Sequence, residues 1–348
     1  MDSYKPIVAE RRAKAKRAAP AGYPKLTPQQ MLARLEPPPL GVKLDIVIDT
    51  DTFNEIDDQF AIVQALLRPD RLDTQAIYAA PFHNQRSMDA EEGMTKSYGE
   101  ILQLLQRMEV EHEGLVHEGA RSFLKPPESV SVNEVSPVDS PAVQDLIARA
   151  MARPVDGPPL YVVAIAAITN VASALLLEPR LVDRIVVVWL GGHADDWPDN
   201  MEFNLQGDLT AAQVVFDCGV PLVRLPCMGV VSHLHCSVPE IDTYVAPCGA
   251  IGKFLASRFR EYPAERGQSA LGYSKQIWDM AAIAWCINPS WCPTVLAPTP
   301  IITDSYTWSF NNHRHLHRVA TASISRDPIM SDLFENLATN YGSGNAKL

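Results

Sequence analysis

Four aspartates lie within ten residues directly after an apolar run, and this stretch restricts the fold of the chain more than any other. The apolar run is Ile46–Ile48, and a helical pattern that stops before Pro69 follows the acids. The acids are Asp49, Asp51, Asp57 and Asp58. This order predicts a strand, an acidic turn and a helix. Ligands of open α/β sheets bind at the carboxyl ends of strands, so the turn is the expected place for a binding site.

Carboxylates this close together repel one another unless a cation lies between them. A hard cation takes oxygen ligands and removes that repulsion. A single aspartate after a strand is more often a helix cap, and Asp57 could have that role, but four acids cannot all be caps. An EF-hand loop is excluded, because its Gly and Glu positions, counted from Asp49, hold Asn54 and Phe60. The stretch therefore predicts a metal or catalytic site.

The rest of the chain alternates strand-like and helix-like segments, which predicts an α/β fold with a mostly parallel central sheet flanked by helices. Leu160–Ala166 and Ile185–Leu190 are nearly continuous apolar runs, as in buried parallel strands. Of the 348 residues, 47% are hydrophobic and 20% are charged, so a sizeable core is expected. Residues 41–348 are predicted to form this domain. Residues 1–40, which are basic and then Pro-rich, are predicted to be an extension outside the sheet.

Composition narrows the classes of partner. A net charge of −11 argues against a nucleic-acid backbone, and no apolar run reaches the length of about 18 residues that a membrane span needs. The six cysteines form no Cys-x-x-Cys pair, and with no secretory signal they predict reduced thiols in a cytoplasmic protein. Alternating histidines at 313, 315 and 317 are expected to be exposed on an edge strand.

One interpretation of the acidic stretch is a haloacid dehalogenase-type phosphatase. Asp49-Thr50-Asp51-Thr52 resembles the first motif of that family, with Asp49 as nucleophile, Asp51 as acid and Mg²⁺ as cofactor. Gly191–Asp196 would pass for its second acidic motif. This interpretation leaves Asn84, Glu202-Phe203-Asn204 and Asp279 without any function.

The nucleoside hydrolase family accounts for all of those residues in order. Its acidic signature, Asp-x-Asp-Pro-Gly-x-Asp-Asp, resembles 49–58, although two extra residues precede the Asp pair here and Pro-Gly is missing. Ile168–Ala172, Leu177–Arg184 and the apolar strand into Gly191-Gly192 resemble its middle region. The resemblance covers about residues 44–325 and implies a Rossmann-like nucleoside hydrolase fold, which in that family assembles as a dimer or tetramer.

The resemblance implies a bound Ca²⁺ and hydrolysis of the N-glycosidic bond of a ribonucleoside. Carried over by position, the ligands of Ca²⁺ would be the side chains of Asp51, Asp58 and Asp279 and the backbone carbonyl of Ile165. The ribose would be bound by Asp57, Asn84, Glu202 and Asn204, with Leu190 against the sugar. A Ca²⁺-bound water beside Asp51 would attack C1′ of an oxocarbenium-like transition state.

Two departures from the family concern the leaving base. The position before the last Asp, often His in the family, is Trp278, and the usual His-Gly-x-x-Gly segment is replaced by the Pro-rich stretch 119–142. Trp278 cannot supply a proton but can stack on a purine, so purine nucleosides are the expected substrates. His193, at a predicted strand end, is the alternative acid. The departures also fit a non-catalytic relative that binds ribose or nucleoside.

Overall fold

The centre of the molecule is an eight-stranded sheet. The computed structural model describes residues 22–126, 135–269 and 271–342. The strands are β1 (Leu44–Thr50), β2 (Leu72–Ala79), β3 (Val116–Glu118), β4 (Leu160–Ile165), β5 (Ile185–Leu190), β6 (Leu222–Leu225), β7 (His235–Ser237), β8 (Ser274–Gln276), β9 (Thr294–Pro298), β10 (Ile301–Ile302), β11 (Trp308–Ser309) and β12 (Leu316–Ala320). The sheet runs in the order β3-β2-β1-β4-β5-β6-β12-β9.

Neighbouring strands of this sheet are parallel except at one edge, where β9 runs antiparallel to β12. The pairs β7-β8 and β10-β11 form two small antiparallel ribbons beside it. The chain winds outward from β1 through β2 to β3 and then crosses back to β4, so the strand order reverses between β1 and β4. Such a reversal opens a crevice at the carboxyl ends of the strands.

Helices cover both faces of the sheet and bury two separate apolar cores. The α-helices of five residues or more in the described ranges are Pro28–Leu35, Asp58–Leu66, Ala90–Met108, Pro141–Met151, Thr169–Leu177, Phe203–Gly207, Leu209–Asp217, Gly249–Glu265, Met280–Ile287 and Arg326–Tyr341. Along β1, Ile46 and Ile48 enter one core and Val47 enters the other, because successive side chains of a strand point to opposite faces. The predicted α/β fold with a mostly parallel sheet flanked by helices is confirmed.

The histidine prediction holds for His313, which is exposed, but it is wrong for His317. The strand β12 is not an edge strand, because β9 pairs with its outer side. His317 is therefore fully buried, and its Nδ1 lies 3.0 Å from the carbonyl oxygen of Ala297. Burial lowers the pKa of His317 to about 3, so this ring is neutral. The six cysteines are free and buried.

The described part of the N-terminal extension packs against the amino ends of the strands. Leu35 is fully buried. The Arg34 guanidinium donates hydrogen bonds to the carbonyls of Gly157 and Asp183, just before β4 and β5. Arg318 of β12 donates to the carbonyl of Leu35 at 2.6 Å. This side of the sheet is opposite the carboxyl ends. The basic cluster of the extension, at positions 11–17, lies outside the described residues, as do residues 127–134 of the Pro-rich stretch.

No helix within the described ranges is long and apolar enough to cross a membrane.

Candidate active site

A cavity of about 240 Å³ opens at the carboxyl ends of the strands, where the strand order reverses. Its floor is built by residues at or just past the ends of β1, β4, β5 and β6. The lining residues are Asp51, Asn54, Glu55, Asp57, Ile165, Leu190, His193, Met201, Glu202, Phe203, Asn204, Cys227, Met228, Trp278 and Asp279. Of the residues that the nucleoside hydrolase resemblance assigns to a site, only Asp58 and Asn84 are not on this wall.

Three aspartates meet at the cavity. One carboxylate oxygen each of Asp57, Asp58 and Asp279 lies within 4.8 Å of the other two, and all three residues are buried. Asp58 sits behind the wall, where its Oδ1 accepts a hydrogen bond from the Thr50 hydroxyl at 2.5 Å. Asp51 is also buried, and its Oδ2 has no hydrogen-bond partner among the described residues. The structure thus brings two of the predicted ligands, Asp58 and Asp279, together with Asp57, and it places Asp51 and Ile165 on the wall of the same cavity.

The electrostatics of this group are unfavourable without a counter-ion. Burial raises the pKa of Asp51 and Asp279 well above the usual range, and repulsion by neighbouring aspartates raises both further. The same two causes raise the pKa of Asp58 to about 8. Burial raises the pKa of Asp57 to about 6. Carboxyl pKa values raised in this way are expected where several buried acids need a cation to balance their charge.

Two of these acids lie at the N-cap positions of helices, but their side chains do not cap those helices. Asp57 precedes Asp58–Leu66, and Asp279 precedes Met280–Ile287, yet neither side chain binds its own helix. The Asp57 carboxylate instead accepts a hydrogen bond from the Trp278 backbone N–H at 3.1 Å. Both side chains turn into the cavity, so capping does not explain why these residues are acidic. The positive ends of two helix dipoles there favour negative charge.

The opposite wall is polar and rigid. Glu202 accepts hydrogen bonds from the backbone N–H groups of Gly192, Asn204 and Leu205 at 2.8–3.0 Å, although burial raises the pKa of this carboxyl. The Asn204 amide donates to the carbonyl of Leu190 at 3.0 Å. These contacts fix two hydrogen-bonding side chains beside an apolar floor, which is an arrangement suited to a sugar.

His193 follows β5 through Gly191-Gly192, as the sequence predicts, and lines the cavity. Its backbone N–H donates to Asn200 Oδ1 at 2.6 Å, and its carbonyl accepts from Arg224 and Trp308. The ring Nδ1 accepts the N–H of Met228 at 3.3 Å, so the hydrogen of the neutral ring is on Nε2. Burial lowers the pKa of His193, which makes this side chain a neutral hydrogen-bond donor near pH 7.

Asn84 differs from the other predicted sugar ligands, because its amide does not line the cavity. It donates to Asn54 Oδ1 at 2.6 Å, and Asn54 is the residue on the wall. Asn54 and Glu55 lie between Asp51 and Asp57, in the stretch that is two residues longer here than in the family signature, and the sequence assigns them no function. Cys227 and Met228 were missed as well, although their place just after β6 is a signal of the same kind as that of Asp51.

Glu55 is held by two side chains from other elements. Its carboxylate lies 2.5 Å from Lys275 Nζ and accepts the Tyr262 hydroxyl at 2.5 Å. Burial raises the pKa of Glu55, but Lys275 outweighs this effect and the net shift is downward. The Lys275 ammonium, itself buried, also interacts with Asp57 and Asp279. It brings one positive charge to the edge of the acidic group.

The phosphatase interpretation does not fit this geometry. Asp49 is completely buried off the cavity wall, where it accepts a hydrogen bond from the Asn170 amide at 2.7 Å. A nucleophile in that place cannot reach a phosphoester. Asp195, from the supposed second acidic motif, forms an ion pair with the buried Arg224.

Comparisons with known proteins agree with the site. The profile of the family described as inosine-uridine preferring nucleoside hydrolase matches residues 46–327. The non-specific ribonucleoside hydrolase RihC of Escherichia coli (strain SMS-3-5 / SECEC) is 26% identical over 268 residues, which is 71% of this chain and 80% of that protein. RihC of Salmonella enteritidis PT4 (strain P125109) is 28% identical over 260 residues, with 71% and 79% coverage.

Solved structures share the fold. A purine-preferring ribonucleoside hydrolase from Gardnerella vaginalis superposes with a TM-score of 0.66 at 18% identity, over 85% of this chain and 99% of that one. A plant nucleoside hydrolase superposes with a TM-score of 0.65 at 20% identity and the same coverage.

The family match, together with the acidic cavity, places the chain among hydrolases that act on N-glycosyl compounds. Within that class, the match over residues 46–327 shows that the chain belongs to the nucleoside hydrolase family. The family resemblance inferred from the motifs is confirmed, and so is the prediction that the chain is an enzyme of this class.

Proposed function

We propose that this protein hydrolyses the N-glycosidic bond of ribonucleosides to ribose and free base, with Ca²⁺ bound at the floor of the cavity. The observation that supports this most strongly is the meeting of Asp57, Asp58 and Asp279 beside Asp51 in one buried cavity. Glu202 and Asn204, which line the same cavity, would form hydrogen bonds with the sugar.

The donor set fits a hard cation. All of its side-chain atoms are carboxylate oxygens, the kind of ligand that Ca²⁺ prefers. The buried Asp51 Oδ2 has no partner among the described residues, and Ile165 lines the same floor, where its carbonyl would add a neutral ligand. Asp51, Asp58, Asp279 and Ile165 would thus hold the ion. When bound, Ca²⁺ would orient the ribose hydroxyls and lower the pKa of a water molecule.

Each residue of the cavity would then have its own role in the reaction. Asp51 accepts the proton of the attacking water as general base. Asp57, Glu202 and Asn204 hold the ribose, and the carboxylates among them stabilise the positive charge that develops on the sugar in the transition state. Leu190 packs under the ring. The buried site holds these groups in place before the substrate arrives, which is the main way an enzyme stabilises developing charge.

The departing base would meet Trp278 and His193, which both line the cavity. Trp278 is half-buried and offers an aromatic face for stacking on a purine. The neutral His193 ring would donate a hydrogen bond from Nε2 to the base. Its lowered pKa argues against full proton transfer from an imidazolium at neutral pH.

The test is turnover of a panel of ribonucleosides, followed by reducing sugar and free base. We expect release of both from inosine and adenosine, with uridine slower, and no phosphate from phosphomonoesters. The non-catalytic alternative predicts nucleoside binding by calorimetry with no sugar released from any member of the panel. That result would overturn the proposed activity while leaving the metal site intact.

A further inference from the structure

The backbone around Asn54 in the acidic turn is held from a neighbouring segment, the turn after β2. From that segment, Arg86 Nη1 donates to the carbonyls of Phe53 and Glu55, at 3.0 Å each. The Arg86 guanidinium also lies 4.4 Å from the centre of the Phe53 ring. Bonds to both flanking carbonyls fix the backbone on each side of Asn54.

The hydrogen bonds around Asn84 have only one consistent direction. The backbone N–H of Arg86 donates to Asn84 Oδ1 at 2.8 Å. The Asn84 Nδ2 must therefore be the atom that faces Asn54, and it donates to Asn54 Oδ1 at 2.6 Å. Since an N–H group can only donate, the orientation of both amides follows from the backbone of Arg86.

In this orientation the Asn54 Nδ2 does not face Asn84, so it can donate a hydrogen bond on the cavity side. Asn54 and Asp51 belong to one tight turn, in which the Asn54 N–H donates to the Asp51 carbonyl at 2.7 Å, and both side chains line the cavity. The Asn54 side chain also interacts with the Asp51 carboxyl. The chain of donors thus leads through this turn to the predicted general base.

We propose that Asn54 is a positioning residue for Asp51, and that Asn84 acts through Asn54 instead of binding the ribose. Through Arg86 N–H, Asn84 and Asn54, this relay would hold the Asp51 carboxylate in place. Its Oδ2, which has no hydrogen-bond partner among the described residues, would be available to the ion and the attacking water. This inference rests on the proposed function for the role of Asp51. The family resemblance implies that Asn84 binds the ribose. Here its amide Nδ2 donates to Asn54 instead.

A double-mutant cycle tests the relay. Asn54→Ala should lower kcat about tenfold, the effect of losing one hydrogen bond to a buried charged group, with KM changed less than about twofold. Asn84→Ala should lower kcat by the same factor or less, and should have no further effect in the Asn54→Ala background. Calcium affinity, measured by calorimetry, should follow the same non-additive pattern. Should the alanine variant fail to fold, Asn54→Ser replaces it.

Ser87→Ala is the matched control, because the Ser87 hydroxyl accepts from the Asn84 backbone N–H but lies outside the relay. It should leave kcat and calcium affinity unchanged. Independent effects of the Asn54 and Asn84 variants that multiply in the double variant, together with a raised KM for Asn84→Ala, would overturn the proposal. If the parent protein released no sugar, the proposed function would fail. The calcium affinities of the single and double variants would still test the relay, because additive losses of affinity would contradict it.

Discussion

At the scale of single residues, the cavity aspartates weaken the fold as long as no cation lies between them. Asp279 is the clearest case, because burial and repulsion by Asp57, Asp58 and Asp51 raise its pKa well above the usual range. Asp279→Asn keeps the shape and removes an acid that the calcium-free fold must keep protonated, which costs free energy at neutral pH. We expect the calcium-free variant to melt on the order of 2 °C above the calcium-free parent, as a gain of about 1 kcal/mol would give. The parent should gain stability on adding Ca²⁺ and the variant should not.

A lower melting temperature for the calcium-free variant would show that Asp279 stabilises the fold directly. Differential scanning calorimetry gives the four melting temperatures, those of the parent and the variant in chelator and in Ca²⁺. Asp139→Asn, at a residue outside the cavity, is a control for the change of charge alone.

The base-binding residues make a second prediction at this scale. If stacking on Trp278 promotes departure of a purine, Trp278→Ala should lower kcat for inosine by at least about tenfold and affect uridine less. His193→Ala should have the smaller effect on inosine, since the neutral ring supplies a hydrogen bond and no proton. Steady-state rates for both substrates decide between the two. Full inosine activity in Trp278→Ala together with its loss in His193→Ala would contradict stacking.

At the scale of elements, the β7-β8 ribbon contacts the acidic turn through one buried lysine side chain. Lys275 of β8 is paired with Glu55 and lies beside Asp57. Lys275→Met would leave the partly buried Glu55 without its cation, at a cost of about 1–3 kcal/mol in the free energy of unfolding. The double variant Lys275→Met/Glu55→Gln should recover part of that loss. Urea denaturation measures both, and equal stability of the single variant and the parent would show that the pair contributes nothing.

The sequence predicts those elements in which local pattern and tertiary structure agree. The apolar runs of β4 and β5 and the acids after β1 lie as predicted, because strand ends in a parallel sheet meet at one edge. The position of β12 depends instead on which strands pair across long connections, which local pattern does not contain, so His317 was predicted at an edge and is buried. The role of Asn54 depends on Asn84 and Arg86, which lie 30 and 32 positions further along the chain.

At the scale of the whole molecule, the described part of the N-terminal extension belongs to the body of the domain, at the end of the sheet away from the cavity. Removing residues 1–40 would expose the surface that Leu35 and Met31 cover and remove the contacts of Arg34. We expect the truncated protein to unfold at lower urea concentration, by at least about 2 kcal/mol, with KM for nucleosides unchanged. An unchanged stability with lost activity would instead place the extension at the active site or at an interface. Assembly as a dimer or tetramer and a cytoplasmic location stay predictions.

The central claim is that the carboxylates at the carboxyl ends of the strands hold a calcium ion on which nucleoside hydrolysis depends. The most direct measurement is release of ribose from inosine by protein stripped with chelator and then titrated with Ca²⁺ or Mg²⁺, with bound metal counted in parallel. We predict no activity after stripping, recovery as about one Ca²⁺ binds per chain, and little recovery with Mg²⁺. Full activity in the stripped protein, or recovery with Mg²⁺ alone, would contradict this account.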